Sequence, residues 1–177
     1  GYCLIISSSL YYLNLNDIEI SQIIDFYNFI PVLLALLILN FFNKLYLGDG
    51  GAYFLGLLFA LCLINTYQIN NNISPYFIVF LLWYRCFENV FSILRKGIFS
   101  RSPLKPDIYH LHQIIFLYLK KVFNVNIVLL NTATGIMINF YNLISIGIAT
   151  HFYDHTKIQI SLIFFNIIIY IFLYKNL

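Results

Sequence analysis

Apolar segments long enough to cross a bilayer follow one another along this chain, with only short polar turns between them. A membrane-spanning helix needs about 20 predominantly apolar residues, and residues 27–47, 52–69 and 76–94 approach or reach that length. The composition agrees, since 61% of the residues are hydrophobic and 10% are charged, whereas a soluble domain carries about 25% charged residues. The sequence therefore predicts an integral membrane protein.

The predicted fold is all-α, a polytopic transmembrane helical bundle that forms a single membrane domain over residues 1–177. The predicted spans are residues 1–15, 27–47, 52–69, 76–94, 125–150 and 158–174. The chain opens at Gly1 inside an apolar run, without an initiator Met, so we expect the first span to complete a helix that begins upstream. Asparagines in the span 125–150 are expected to form hydrogen bonds between helices.

The distribution of basic residues predicts the orientation of the chain in the membrane. If alternate loops lie on alternate sides, one side collects nearly all the loop bases, namely Lys44, Arg95, Lys96, Arg101, Lys105, Lys120, Lys121 and Lys175. Only Lys157 falls on the other side, together with Asp17, Glu19, Asp25 and Asp154. Because Lys and Arg concentrate in cytoplasmic loops, loops at about residues 46–51 and 95–121 are predicted to be cytoplasmic.

The first of these loops places one carboxylate among glycines, between two apolar spans. Asp49 follows Gly48 and precedes Gly50 and Gly51. Glycine allows positive φ and a close approach of the backbone to a ligand, and a carboxylate at the mouth of a membrane helix should be solvated or bind a cation. Local sequence leaves both interpretations open for Asp49, an ordinary solvated turn or a cation site.

The second loop concentrates the remaining polar chemistry. It carries Arg101, Lys105, Asp107, His110 and His112, with Pro103 and Pro106 restricting the backbone. A neutral imidazole can bind metal and a protonated one can bind phosphate, while the bases suit a diphosphate. In an extended loop His110 and His112 would share a side, and on a helix they would diverge. Taken alone, the pattern also fits a solvated loop.

The two loops together resemble the polyprenyl-phosphate N-acetylhexosamine-1-phosphate transferases, kin of the phospho-N-acetylmuramoyl-pentapeptide transferase. Residues 48–56, Gly-Asp-Gly-Gly-Ala-Tyr-Phe-Leu-Gly, are similar to the family's Gly-Asp-x-Gly-(Ser/Ala)-x-x-Leu-Gly stretch. Ser102-Pro103, Pro106-Asp107 and residues 110–113, His-Leu-His-Gln, are similar to its Ser-Pro-(x)-x-Pro-Asp-x-x-His-x-His-His loop. Residues 86–89 and 91–96 also fit the branch that acts in surface-polysaccharide synthesis. The resemblance extends from Gly1 to about Leu117.

The resemblance implies a phosphotransferase of the bacterial inner (plasma) membrane, with its active-site loops in the cytoplasm. It would transfer N-acetylhexosamine 1-phosphate from a UDP-N-acetylhexosamine to polyprenyl (undecaprenyl) phosphate, and so start a cell-surface glycan such as lipopolysaccharide or cell-wall polysaccharide. It further implies Mg²⁺, or Mn²⁺, bound by Asp49. Asp49, His110 and His112 would be catalytic, and the substrate-binding residues would be Gly50, Gly51, Arg101, Lys105, Asp107 and Gln113. Nothing indicates a nucleic-acid partner, and a homodimer is left open.

Two departures from the family pattern bear on activity. Gln113 stands where the family has a second His of its His-His pair. The family's upstream Asp-Asp pair and its Asn-x-x-Asp-Gly-x-x-Gly segment are absent from the chain, so it is interpreted as the C-terminal portion of a larger transferase that does not catalyse alone. The sequence selects neither the sugar nor the polysaccharide.

Rival interpretations start from the charges inside the apolar spans. Arg85 and Glu88 stand three residues apart in the span 76–94, so they can face each other on a helix. We expect a structural role, in which the pair neutralises itself or ties to a neighbouring helix. Intramembrane charges also occur in transporters and channels. A catalytically inactive remnant would explain Gln113 and the missing motifs.

Overall fold

The structure is a computed structural model and describes residues 1–21, 23, 25–42, 44–98, 109–123 and 125–177. Every regular element within these ranges is an α-helix, as predicted. In chain order the helices are α1 (Tyr2–Leu15), α2 (Phe26–Phe41), α3 (Gly48–Ile69), α4 (Pro75–Ile98), α5 (Leu111–Val122), α6 (Ile127–His151) and α7 (Thr156–Asn176). The chain is thus an all-helical bundle.

Four helices, α3, α4, α6 and α7, are long and apolar enough to cross a membrane, and α1 and α2 are apolar but shorter. The protein is therefore a multi-pass membrane protein. The span predicted at residues 27–47 corresponds to α2, which ends at Phe41. Hydrogen bonds outside the regular helical pattern follow the end of α2. The Lys44 N–H donates to the Leu39 carbonyl at 2.8 Å, and the Asn40 side-chain amide donates to the Leu45 carbonyl at 3.3 Å.

Both predicted loops contain helix. In the loop predicted at 46–51, α3 already begins at Gly48, whose φ of +67° suits glycine and turns the chain into the helix. In the loop predicted at 95–121, α4 continues to Ile98 and α5 occupies the second half. The apolar residues Leu111, Ile115 and Leu119 recur every four positions, which is the spacing of one helix face, so α5 packs this face against the bundle.

Helix α4 forms the centre of the bundle and packs against α3, α6 and α7. Its residues Phe77, Phe80 and Leu81 are fully buried. Nearer its end, Phe87 packs edge-on against Tyr170 of α7, with ring centroids 5.0 Å apart. These contacts fix one side of α4 against its neighbours, while other residues such as Val79 and Leu94 stay exposed.

Hydrogen bonds between helices come mostly from residues other than those expected. Asn139 and Asn142 of α6 donate to carbonyls of their own helix four residues earlier, so the expectation of interhelical bonds is wrong for these two. Asn166 of α7 does bridge helices, since its amide oxygen accepts from the hydroxyls of Tyr141 and Ser145 on α6.

The loops meet at two ends of the bundle. At one end the Ser74 N–H donates to the Tyr153 carbonyl at 3.0 Å, and the Asn70 side chain donates to the Glu19 carbonyl. At the opposite end, the last turn of α4 approaches the chain before α5 and the end of α7, because the Arg95 guanidinium lies over the rings of Tyr109 and Tyr174. We call this second end, which carries most of the described lysines and arginines, the basic end.

Candidate functional site

The polar centre of the basic end is Glu88, just past the middle of α4. Its side chain is only 5% exposed. One carboxylate oxygen, Oε1, lies 3.2 Å from Nδ1 of His112 and 3.9 Å from Nδ1 of His110. The Tyr84 hydroxyl, one turn earlier on α4, is 3.5 Å from the same oxygen. A buried carboxylate is costly unless it is paired, and the two histidines supply that pairing.

The start of α5 explains how both histidines reach one oxygen. His110 is the N-cap residue and has extended backbone angles, while His112 lies in the first helical turn. This change of conformation between them brings the two imidazoles to the same side, where they stack with ring centroids 5.5 Å apart and planes 12° apart. The sequence left two arrangements of these side chains open, on one side of a loop or on different sides of a helix. They lie on the same side because the boundary between loop and helix falls between them.

Gln113 takes part in the same helix start. Its side-chain oxygen accepts a hydrogen bond from the His110 N–H at 3.3 Å, as the residue at the third position of a capping box does. The Gln113 amide therefore stabilises the turn that orients His110. Gln113 also lines a cavity beside His112.

Arg85 contacts two aromatic rings and does not form an ion pair with Glu88. The guanidinium carbon lies 5.8 Å from the ring centroid of Tyr2 and 5.9 Å from that of Tyr84. Among the described residues Arg85 has no ion pair, so the two charges do not neutralise each other within α4. The alternative expectation, a tie to neighbouring helices, is confirmed for both residues, since Arg85 contacts α1 through Tyr2 and Glu88 contacts α5.

A cavity of about 910 Å³, which we call the histidine cavity, opens beside these residues. Its wall combines His112, Gln113 and Arg85 with polar residues of α6, Asn131 and Asn139. Cavities of 300 to about 1,000 Å³ hold most small-molecule ligands. The histidine cavity is therefore large enough for a nucleotide-sized molecule and presents cationic and amide groups to it.

A second cavity of about 650 Å³ runs between α1, α2, α3 and α4, and we call it the apolar groove. Leu33, Leu36, Leu55 and Phe59 are among its lining residues. The two cavities share Tyr2, Asn40 and Arg85. Arg85 thus stands at the junction between a polar cavity and an apolar one.

Asp49 lies apart from the histidines. It is exposed in the first turn of α3 and has no hydrogen-bond or ion-pair partner among the described residues. The positive end of the helix dipole stabilises its negative charge, which is a structural reason for an acid at this position. Its segment nevertheless borders both cavities, because Tyr46 lines the histidine cavity and Tyr53 lines the apolar groove.

The glycines beside Asp49 differ in what they require. Gly48 has positive φ, and a Cβ on Gly51 would lie 2.6 Å from Cγ of Leu47, whereas a Cβ on Gly50 would meet open space. Gly50 and Gly51 are helical, so neither adopts the strained turn that glycine clusters often provide. Of the other predicted substrate-binding residues, Arg101, Lys105 and Asp107 lie outside the described residues.

The described residues contain no group of three or more His, Cys, Asp or Glu side chains arranged to hold a metal ion. The histidine nitrogens are at hydrogen-bond and ion-pair distances from Glu88 itself. Mg²⁺ often binds through one or two carboxylates, with waters and substrate phosphates as its other ligands. Asp49 fits Mg²⁺ only in that way, as a single carboxylate ligand.

The site residue that sequence reasoning missed is Glu88. The available signal was a carboxylate inside an apolar span, followed by a His-x-His sequence in the next polar segment. Comparison of the chain with protein-family models, with curated proteins and with solved structures found no match.

Proposed function

We propose that this protein transfers N-acetylhexosamine 1-phosphate from a UDP-sugar to polyprenyl phosphate at the cytoplasmic face of a bacterial inner membrane. The observation that carries the proposal is the buried carboxylate of Glu88, which holds both histidines of the His-x-His sequence beside a cavity containing Arg85. Buried ionisable residues in membrane spans that converge on a cavity are functional candidates. The motif resemblance of residues 48–56 and 102–113 supports the choice of reaction.

In the proposed reaction an oxygen of the lipid phosphate forms a bond to the β-phosphorus of the UDP-sugar. The bond from that phosphorus to the bridging oxygen breaks, and UMP leaves with the electron pair. Phosphoryl transfer depends mainly on positioning and on neutralising charge. His112, with 43% of its side chain exposed and lining the cavity, would contact the diphosphate.

Glu88 acts through the imidazoles as a positioning residue. A carboxylate that accepts from Nδ1 of an imidazole fixes the tautomer and the ring orientation. When the ring carries both protons, Nε2 is left to donate to a phosphate oxygen. His110, stacked on His112, restricts the rotation of that ring.

The positive end of α5 contributes to the same anion site. Its first-turn N–H groups begin at the histidines, and such groups attract phosphate. Asp49 would hold Mg²⁺ together with the substrate phosphates. When bound, the ion would neutralise charge on the diphosphate.

The proposal is tested with the full-length protein in native membranes, supplied with undecaprenyl phosphate, Mg²⁺ and a panel of radiolabelled UDP-N-acetylhexosamines. Wild type is compared with Asp49→Asn, His112→Ala and Glu88→Gln. Glu19→Gln is the matched control, because Glu19 is the other glutamate of the chain and lies exposed at the opposite end of the bundle. We expect Mg²⁺-dependent lipid-linked label with UMP release in wild type and in the control, and loss in the three site variants.

Absence of label in wild type with every donor, while a known transferase is active in the same assay, would refute the proposed transferase activity. Label that persists in Glu88→Gln and His112→Ala would separate the histidine cluster from catalysis. Ion or solute flux through reconstituted protein without transfer would favour the transporter interpretation.

A further inference from the structure

Arg85 is a cation that has no ion-pair partner within the described part of the chain. It lies in an apolar span, is exposed, and makes neither a hydrogen bond nor an ion pair with the described residues. Its neighbours are the faces of Tyr2 and Tyr84. The hydroxyls of those tyrosines are engaged elsewhere, with the Leu81 carbonyl and with Glu88. The five N–H donors of the guanidinium are therefore available to an anion.

The apolar groove has a few polar side chains in a mostly apolar wall. The polar side chains Asn40, Arg85 and Asn89 lie among leucines and aromatic residues of α1, α2 and α3. Arg85 and Asn89 are four residues apart on α4, so they lie on the same face of the helix. A ligand that matches this lining has one anionic group and a long apolar part.

We propose that Arg85, assisted by Asn89, binds the phosphate of a lipid whose apolar chain lies in the apolar groove, and that this lipid is the polyprenyl phosphate acceptor. The inference rests on the proposed function for the identity of the lipid. Arginine binds phosphate through two parallel hydrogen bonds. Because Arg85 also lines the histidine cavity, the lipid phosphate bound there faces the space assigned to the UDP-sugar.

Three glycines allow the cavities to be filled separately. Gly56 lines the apolar groove, Gly135 lines the histidine cavity, and Gly147 lines a third cavity of about 310 Å³ between α1 and α6. A Cβ added at any of the three would meet open space. Replacement by Phe therefore adds the same side chain to one cavity at a time.

Lipid binding is measured directly, without turnover, by native mass spectrometry of the full chain in detergent micelles. The probes are undecaprenyl phosphate, undecaprenol, inorganic phosphate and the UDP-N-acetylhexosamines. We expect wild type to retain undecaprenyl phosphate but not undecaprenol. Arg85→Ala should weaken this binding about 10- to 100-fold, the effect of losing charge-assisted hydrogen bonds, and Arg85→Lys should restore part of it.

The glycine variants test the position of the chain of the lipid. Gly56→Phe should weaken undecaprenyl phosphate binding, whereas Gly147→Phe should leave it unchanged. Gly135→Phe should weaken binding of the UDP-sugar and not of the lipid. Equal lipid binding by wild type, Arg85→Ala and Gly56→Phe would overturn the inference, as would binding of undecaprenol as tight as that of its phosphate.

Retention of inorganic phosphate that depends on Arg85, without retention of the lipid, would also overturn it, since the site would then bind a free anion. The outcomes are separable from those of the transferase assay. Sugar transfer with Arg85-independent lipid binding would refute the inference and leave the proposed function standing. Arg85-dependent lipid binding without sugar transfer to any acceptor would support the lipid site and refute the proposed function.

Discussion

The pair formed by Glu88 and His112 predicts an asymmetry between its two halves. Glu88 is 5% exposed and His112 is 43% exposed. Removal of the carboxylate leaves an imidazole that water can solvate, whereas removal of the imidazole leaves a buried charge with only His110, 3.9 Å away. We therefore expect His112→Ala to be more destabilising than Glu88→Gln.

The magnitudes follow from the two kinds of loss. Breaking a buried ion pair by removing one partner costs about 3–5 kcal/mol, and the remaining His110 places His112→Ala near the lower figure, about 3 kcal/mol. Glu88→Gln keeps an acceptor oxygen and loses only the contribution of the charge, about 1 kcal/mol. For a chain of this size each kcal/mol lowers Tm by about 2–4 °C, so the two variants should be distinguishable by thermal unfolding in detergent.

The double variant makes the test stringent. In Glu88→Gln/His112→Ala no charged carboxylate remains at this buried position, so we expect it to be more stable than His112→Ala alone by about 1–2 kcal/mol. The assay is scanning fluorimetry of all four proteins in one detergent, with Glu19→Gln as the matched control. Additive losses in the double variant would refute the reasoning, because they would show that Glu88 carries no uncompensated charge once His112 is gone.

Further predictions concern local structure, and each is measured by thermal unfolding or by hydrogen exchange. Gly48→Ala should destabilise the protein by about 1–2 kcal/mol because its φ is positive, while Gly50→Ala, in open space on a helix, should raise stability by about 0.5–1 kcal/mol; equal effects would contradict this. Gln113→Ala should speed exchange of the first amides of α5, and Gln113→Glu should not, since it keeps the oxygen that accepts from His110. Gln159→Leu should destabilise by about 1–2 kcal/mol, because its buried amide donates to two carbonyls at the end of α6 at 2.7 Å each, and unchanged Tm would count against that role.

The fold was largely predictable because span length and hydropathy depend on local sequence. The bilayer requires helices of a given length, so α3, α4, α6 and α7 could be located from their apolar residues. Helix α5 was not predicted, because its lysines and the neighbouring prolines are typical of a polar loop. The helical spacing of Leu111, Ile115 and Leu119 was the signal that could have located it. Helix α2 ends before the predicted span does, since the chain beyond Phe41 makes non-helical hydrogen bonds from Lys44 and Asn40 that hydropathy does not register.

The candidate site was predictable only in part. His110 and His112 were identified by composition and spacing, but their partner was not. Glu88 stands three residues from Arg85, and a helical pair at that spacing is locally plausible. The actual partner is His112, 24 residues further along the chain. Such a tertiary contact depends on how α5 docks on α4, which no local pattern specifies.

The 24-residue separation between Glu88 and His112 also has a consequence for biogenesis. Helix α4 leaves the ribosome carrying Arg85 and Glu88 before the histidines have been synthesised. A charge in the middle of a translocating helix disfavours its insertion by about 2.5–3.5 kcal/mol, so α4 enters the membrane at a disadvantage, and the later arrival of α5 relieves the part that is due to Glu88. Substitutions at the histidines should therefore lower the amount of correctly inserted protein in the cell, and reduced abundance should precede any defect measured in the purified protein.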